Sequence, residues 1–512
     1  MERQVIEIHY SYTMQRDHSY WVGKARELNP EIRDFIGGRW YEPPSRHLKK
    51  HGPRDGILIC EYGDGGAGRA DQAVSVARQA FTDGRWSRMS VQKRKEILFK
   101  FASLLEERGD EFALLECLDV GKPISDALHF DVPAAAACIR FNAEAADKVY
   151  GKVYASDLTS LSHELRRPIG VVAGIVGWNF PLYLAAQKIG PVLAAGNSLI
   201  LKPSEFTSLS ASRLAQLALE AGVPEGVLNV VHGAASVGAA LAQHHDIDCL
   251  TFTGSTKTGK QLLIASGESN MKRLILECGG KAPNIVFSDC ANLSAAAEAI
   301  VASAFWNQGQ VCVATSRLLV QNDIKEELLK EVIRRTQELI TGDPLEPATR
   351  FGALVSAEHK RKVLAYISQG PLDGARLAYQ GPSIAPVEGG FYVPATIFDQ
   401  VTPKQTLAQE EVFGPVLSVL SFHDEAEAIA IANDTVYGLS ATLWTKDVGR
   451  AHRISQNLDA GLIVVNTARK PVGGPAEGVL PVGGHKQSGL GLEGGVEGLE
   501  AYLKRSTIQI FC

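Results

Sequence analysis

Between Ile169 and Gly280, short β-branched runs (IGVVAGIVG, SLILKPS, LNVVHG, CLTFTGS and RLILECGG) alternate with segments whose apolar positions recur every three or four residues. Strands apolar on both faces, joined by helices such as PLYLAAQKIGPVLAA and SLSASRLAQLALEAG, predict a parallel sheet covered on both sides, a doubly wound Rossmann-like unit. Upstream, helical spacing runs through residues 71–148, in DQAVSVARQAF, KRKEILFKFASLLEERGDEFALLECLDVGK and AACIRFNAEAADKVYGK, and these helices are expected to pack on that sheet. Downstream, PNIVFSD, LSAAAEAIVASAFWNQG and CVATSRLLVQ open a second α/β pattern that runs to about residue 487. The terminal LKRSTIQIFC reads as an edge strand that pairs with another element or subunit. From Pro168 to Gln187 no residue is charged, which meets the ~20-residue length of a membrane span. Asn179, Pro181 and the glycines divide that stretch into a strand, a turn and a buried helix instead.

Composition narrows the function. The chain has 512 residues, 45% hydrophobic and 21% charged, which excludes disordered, collagen-like and coiled-coil proteins. Its 52 basic and 57 acidic residues give a net charge of −5 with both signs dispersed, so nucleic acid is not an expected partner. Eight cysteines (Cys60, Cys117, Cys138, Cys249, Cys278, Cys290, Cys312 and Cys512) stand far apart without a CxxC pair, which predicts a reducing compartment and no bound metal. The N-terminal MERQVIEIHYSYTMQRDHSYW is too polar for a signal peptide, so the expected location is the cytoplasm.

Two phosphate-binding patterns are decoys as written. Gly63, Gly65 and Gly68 satisfy GxGxxG, but no second βαβ strand ending in an acid follows. Gly254 to Gln261, GSTKTGKQ, matches a phosphate loop until Gln261 replaces the hydroxyl that would hold Mg²⁺, which argues against an NTPase. Because that stretch follows a strand and opens a helix, its N–H groups can still hold a pyrophosphate without metal. Three separate places carry chemistry. Cys312 of NQGQVC projects from an irregular segment, as a nucleophile or as a small buried hydrophobe. Glu277 of LECGGK ends a strand, where desolvation would raise its pKa toward that of a general base, unless it is a capping or ion-paired Glu. Asn179 of GWNFP lies at the carboxyl end of the first strand and offers an amide N–H to an oxyanion, or else satisfies turn backbone.

Taken in order, GWNFP, ILKPSE, FTGSTKTG, LECGGK, NQGQVC, EEVFGP and PVGGHKQSG resemble the signature set of the NAD(P)-dependent aldehyde dehydrogenase superfamily, over Phe35 to Gln509. The resemblance implies attack by Cys312 on an aldehyde, with Asn179 and the Cys312 N–H stabilising the oxyanion. Oxidation of the thiohemiacetal then gives a thioester, and Glu277 activates the water that hydrolyses it. Lys188 and Glu493 match positions that support the proton path. The cofactor implied is NAD rather than NADP, since Lys202 and Glu205, with Ser204, would hold the adenosine ribose and Glu205 would repel a 2′-phosphate. Thr253, Gly254, Ser255 and Gly259 would lie at the pyrophosphate and adenine side, Trp178 and Gly233 would line the groove, and Glu411 and Phe413 would hold the nicotinamide ribose and ring. The fold implied is an NAD-binding domain (18–149 and 169–279), a catalytic domain (280–487) and a small β oligomerisation segment (150–168 and 488–512). That segment implies a homodimer or homotetramer.

Among subfamilies, YWVGKARELNPEIRDFIGGRW, FNAEAADKVYGKV and SNMKRLILECGGKAPNIVFSDC are most similar to bacterial γ-glutamyl-γ-aminobutyraldehyde and betaine-aldehyde-type dehydrogenases, which implies an ω-amino or amide aldehyde. Three features depart from that pattern. The loop NTARKPVGGPAEGVLPVGG is about five residues longer than expected. Val482 replaces an aromatic residue, and Arg469 and Lys470 stand where amine-binding relatives carry acids. A wider tunnel mouth beside two cations favours a bulky or carboxylate-bearing aldehyde, with Phe180 and Trp306 shaping the walls. Alternatively, Arg469 and Lys470 form a solvated loop pair. The competing functions are a CoA-acylating dehydrogenase, which the hydrolytic base Glu277 disfavours, a thiol esterase, which the KPSE and EEVFGP positions disfavour, and an inert binding or structural protein, which has no use for Cys312, Glu277 and Asn179 together.

Overall fold

A computed structural model describes residues 16–42, 47–467 and 478–511. The first lobe is built on an eight-stranded sheet. Its strands are β1 (Asp34–Ile36), β2 (Arg39–Tyr41), β6 (Val171–Ile175), β7 (Ser198–Lys202), β8 (Leu228–Val230), β9 (Cys249–Thr253), β10 (Arg273–Glu277) and β20 (Gly489–Leu490), in the order β2-β1-β8-β7-β6-β9-β10-β20. The run from β8 to β10 is parallel, as the uniformly apolar sequences predict. Alternation divides the core. Val171, Ala173 and Ile175 face a layer holding the helices Gly66–Thr82 and Ala235–Gln243, whereas Val172 and Val176 face the helices Val91–Glu107, Val132–Ala145, Pro181–Ala194 and Ala211–Ala221. Chain order runs outward from β6 through β7 to β8, then resumes on the other side with β9. The topological switch therefore lies between β6 and β9, and a ligand crevice is expected at their carboxyl ends.

The second lobe carries a seven-stranded sheet of β11 (Pro283–Val286), β12 (Arg317–Gln321), β13 (Arg376–Gln380), β14 (Thr396–Asp399), β15 (Val416–Phe422), β17 (Ser440–Trp444) and β18 (Leu462–Val465), ordered β13-β14-β15-β12-β11-β17-β18. Only β13 is antiparallel to its neighbour, and the same two-faced burial recurs, with Ile285 and Leu319 on one side and Val286, Leu318 and Val320 on the other. Three two-stranded pairs complete the sheet structure: β3 (Leu48–His51) with β4 (Leu58–Tyr62), β16 (Tyr437–Gly438) with β19 (His485–Lys486), and β5 (Ser160–Pro168) with β21 (Leu503–Phe511).

The terminal strand pairs as expected: β21 runs antiparallel to β5 from Leu503 opposite Pro168 to Phe511 opposite Ser160. Within the expected segment 150–168, Ser160–Pro168 forms β5, and an antiparallel bridge joins Val153 to His163. The expected segment 488–512 is corrected, because it divides. Gly489–Leu490 adds to the edge of β10, and the helix Gly495–Glu500 packs on Val132–Ala145 and Pro181–Ala194, so only the end of the segment forms the projecting ribbon. Two glycines before the helix, at φ of 72° and 62°, let the chain turn back onto the first lobe.

Asn197 ties these pieces together from a fully buried position. Its Oδ1 accepts from Gly170 N at 2.8 Å, and its Nδ2 donates to the carbonyl of Tyr502 at 3.0 Å, so one side chain bonds the entrances of β6 and β7 to the returning C-terminal segment. Asn197→Ala orphans a buried donor and a buried acceptor and is expected to cost about 3 kcal/mol. Urea unfolding of the variant checks this, and an unchanged midpoint would contradict it.

Candidate active site

The strand ends converge on a cleft of about 1180 Å³ between the lobes. Asn179 follows β6, Thr253 ends β9, Glu277 ends β10, and Cys312 enters from the second lobe on the segment before β12. All four line the cleft. Cys312 is set by an uncommon turn in which Asn307, Gln308 and Gly309 are all left-handed, at φ of 48°, 56° and 72°. Two non-glycine residues in that region store strain that the surroundings must hold. They are held by hydrogen bonds and close packing. Asn307 Nδ2 donates to the Asn179 carbonyl at 3.1 Å, Asn179 Nδ2 donates to the Gln310 carbonyl at 2.9 Å, and Gln310 Oε1 accepts from Val355 N at 3.0 Å. A Cβ on Gly309 would lie 2.3 Å from the Gly414 carbonyl oxygen, so this position requires glycine for space as well as conformation.

One amide hydrogen of Asn179 is used on the Gln310 carbonyl, which fixes the plane of the group. The second remains for an oxyanion beside Cys312. Burial, together with the negative charges of Glu411 and Glu277, pushes the Cys312 thiol up to about 12. Glu277 is itself raised well above the usual carboxylate range by desolvation and by the charge of Glu493, against an opposing pull from Lys188. Its Oε1 is buried without a hydrogen-bond partner among the described residues. Lys188 Nζ contacts Glu493 Oε1, and Thr251 Oγ1 donates to the same oxygen at 3.3 Å. Glu493 reaches the cleft wall, whereas Lys188 stands behind it.

At the other end, Lys202 Nζ lies 3.8 Å from Glu205 Oε2, and both line the cleft with Ser204. Ser255 caps the helix Thr256–Glu268 by accepting from Thr258 N at 3.2 Å, and this capped N-terminus faces the cleft through Thr253, Gly254 and Ser255. The Thr253 hydroxyl is buried without a hydrogen-bond partner among the described residues. Trp178 packs edge to face on Phe413 with ring centroids 5.1 Å apart, and Glu411 accepts from Gly280 N at 2.9 Å while burial pushes its carboxyl up to about 7. A helix N-terminus, an ion-paired carboxylate at one end and an aromatic shelf at the other fit the pyrophosphate, ribose and ring of a dinucleotide.

Two further residues expected in the groove, Gly233 and Gly259, are closely packed. A Cβ on Gly233 would meet Val237 Cγ2 at 2.5 Å and Asp64 Oδ1 at 2.6 Å, and one on Gly259 would meet Cys278 Sγ at 2.8 Å, so both serve packing. Asp64 gives the decoy GxGxxG segment a role, since it accepts from Gly66 N at 2.9 Å and Ala234 N at 3.2 Å and joins two helix starts. His359 and Lys362, not identified from the sequence, line the cleft beside Glu411; His359 bonds the Phe413 carbonyl at 2.7 Å and stacks on Trp178 at 5.1 Å. They stand in a helix, AEHKRKVLAYISQGPL, whose charged pattern reads as an ordinary solvated face.

The remaining arm of the cleft is a tunnel walled by Phe180, Leu184, Val311, Val313, Leu480 and Val482. Trp306 is corrected from a wall residue to a backing one. It packs against Phe180 at 5.2 Å, and its Nε1 donates to Asp126 Oδ2 at 3.1 Å. Val482 pairs through its backbone with Glu493 at 2.7 and 2.8 Å, which ties the tunnel wall to the carboxylate beside Glu277. Arg469 and Lys470 lie outside the described residues.

A thiol held near 12 carries little thiolate at neutral pH, and its thiolate fraction rises tenfold per pH unit. Alkylation of Cys312 by iodoacetamide in the ligand-free protein, followed by peptide mass spectrometry, should therefore keep rising through pH 10. A plateau at pH 7–8 would contradict this.

The comparisons agree with the geometry. Residues 40–508 match the family model described as the aldehyde dehydrogenase family. The chain is 46% identical to the NADP/NAD-dependent aldehyde dehydrogenase PuuC of Escherichia coli over 494 residues, covering 96% of this chain and 98% of that one. It resembles the crystal structure of an indole-3-acetaldehyde dehydrogenase complexed with NAD⁺ at a TM-score of 0.94 and 47% identity, covering 97% of this chain and 100% of that one. It also resembles γ-glutamyl-γ-aminobutyraldehyde dehydrogenase of Burkholderia cenocepacia at a TM-score of 0.93 and 43% identity, covering 97% and 99%. With the Cys312 thiol, the Asn179 amide and the Glu277 carboxyl gathered where two α/β lobes meet, the chain belongs to the aldehyde dehydrogenase family.

Proposed function

We propose that this enzyme oxidises a bulky, largely apolar aldehyde to its carboxylic acid with NAD. The observation that carries the reading is one continuous cleft in which Cys312 and Glu277 lie between a dinucleotide-shaped arm and an apolar tunnel. Lys202, Glu205, Thr253, Ser255, Glu411 and Phe413 would hold the dinucleotide, and acceptance of the hydride is the chemistry it supplies when bound. A carboxylate at Glu205, beside Lys202, accepts from ribose hydroxyls and repels a 2′-phosphate, which favours NAD over NADP.

The chain's own residues perform the rest. The Cys312 sulfur attacks the carbonyl carbon, and the oxyanion that forms meets the free amide hydrogen of Asn179 and the Cys312 N–H. After oxidation, the thioester on Cys312 needs a water stronger than bulk water as nucleophile. Glu277 supplies the base, its proton affinity raised well above that of an ordinary carboxylate by burial and by Glu493. Lys188 and Glu493, which meet behind Glu277, hold the charge balance while a proton leaves.

The tunnel walls support the bulky substrate. The carboxylate-bearing variant of that reading depends on Arg469 and Lys470, which the structure does not describe. A second reading, oxidation of an ω-amino or γ-glutamyl aminoaldehyde, is favoured by the likeness to the Burkholderia enzyme. Pairing of the β5–β21 ribbon between copies would give the homodimer or homotetramer, because Leu161, Leu165, Ile510 and Phe511 are exposed on it. No disulfide joins the seven described cysteines, which fits a cytoplasmic location, and no described helix is long and apolar enough to cross a membrane.

Glu277→Gln tests the division of labour. Steady-state turnover should fall by about 10² to 10⁴, the usual range for a lost general base. Stopped-flow absorbance at 340 nm should still show one NADH per active site in the first turnover. Equal loss of burst and steady state would place Glu277 before oxidation and contradict the assignment.

A further inference from the structure

The helix Pro181–Ala194 starts directly after Asn179 and Phe180, and Tyr183, Leu184 and Gln187 continue one of its faces along the cleft. Lys188, the next residue, turns away to Glu493. Gln187 is thus the carboxamide on an otherwise apolar stretch of wall, and it is only partly buried. Its orientation is fixed, because Nε2 donates to the Tyr183 hydroxyl at 3.0 Å. Its Oε1 has no hydrogen-bond partner among the described residues. An amide oxygen facing an apolar passage is costly to desolvate unless the occupant brings a donor. That donor has a defined place. A rise of 1.5 Å per residue sets Gln187 about 9 Å along the axis from Pro181, the first residue of the helix, and helical side chains lean back toward the N-terminus. The oxygen therefore lies over the body of a substrate whose carbonyl sits between Asn179 and Cys312.

We propose that Gln187 is a specificity-determining residue that accepts a hydrogen bond from an uncharged donor in the body of the aldehyde, an indole or amide N–H. Among the described residues an ammonium group would find no carboxylate on this wall; the described carboxylates of the cleft are Glu277 and Glu493 at its floor and Glu205, Glu268 and Glu411 in the dinucleotide arm. The inference rests on the bulky, apolar tunnel proposed above and names the polar feature it selects.

The test compares kcat/KM for indole-3-acetaldehyde and 1-benzothiophene-3-acetaldehyde, which replaces the N–H by sulfur at nearly the same shape. Wild-type enzyme should prefer the indole by about tenfold, the worth of one neutral hydrogen bond. Gln187→Met should bring the ratio close to one, and Gln187→Glu, which keeps an acceptor oxygen, should restore it. Each ratio is taken within a single enzyme, so partial loss of folded protein leaves it unchanged. A wild-type ratio near one, or a preference that survives in Gln187→Met, overturns the inference. Turnover of propanal but of neither bicyclic aldehyde overturns the tunnel reading itself, and the inference with it.

Discussion

The site depends on how closely three chain segments approach at Gly279 and Gly280, where the polypeptide crosses from the first sheet to the second. A Cβ on Gly279 would lie 2.3 Å from Glu411 Oε2, and one on Gly280 would lie 2.5 Å from the Cys312 carbonyl oxygen. Side chains at either place would push the nucleophile segment or the Glu411 segment out of the cleft. The crossing is secured from the far side as well. Ser488 Oγ donates to the Gly279 carbonyl at 2.7 Å, and Cys278 N donates to the Ser488 carbonyl at 2.8 Å. Cys312, Glu277 and Glu411 are therefore brought together at one pair of glycines that connects the lobes.

Electrostatics at this junction is governed by burial. Glu277, Glu411 and the Cys312 thiol are all shifted toward their neutral forms by desolvation, to which like charges add at Glu277 and Cys312, whereas Lys281 and Lys362 oppose the shift at Glu411. The charges that persist are paired, Lys188 with Glu493 and, behind Phe180, Lys122 with Asp131 at 2.8 Å. Lys122 also lies 4.0 Å from the centre of the Phe180 ring, so a buried ion pair backs the tunnel wall.

Much of this was legible in the sequence, because strand runs and glycine-rich strand ends carry local signals. Asn179, Glu277 and Cys312 were identified as chemistry-bearing residues from their places after strands and turns, and the structure brings them into one cleft. The misses have physical causes. Gly233 and Gly259 are required by neighbours distant in sequence, Asp64 and Cys278, and no local pattern separates a packing glycine from a ligand-lining one. Trp306 lies behind Phe180 because side-chain direction in an irregular turn does not follow from spacing. The left-handed Asn307 and Gln308 carry no glycine signal, and the extra strand Gly489–Leu490 is too short to show periodicity. His359 and Lys362 sit on a helix with a charged face, where a polar residue ordinarily marks solvent, and Gln187 is a lone polar position on a buried helix.

Product stoichiometry tests the cysteine-centred chemistry most directly. Purified enzyme, NAD and a bulky aldehyde are mixed with no CoA, and NADH is followed at 340 nm while the carboxylic acid is quantified by mass spectrometry. Wild-type protein should form equal amounts of NADH and acid, and Cys312→Ala should form neither while still binding NAD. Turnover that survives in Cys312→Ala, or NADH without matching acid, would contradict a covalent route through Cys312 completed by Glu277.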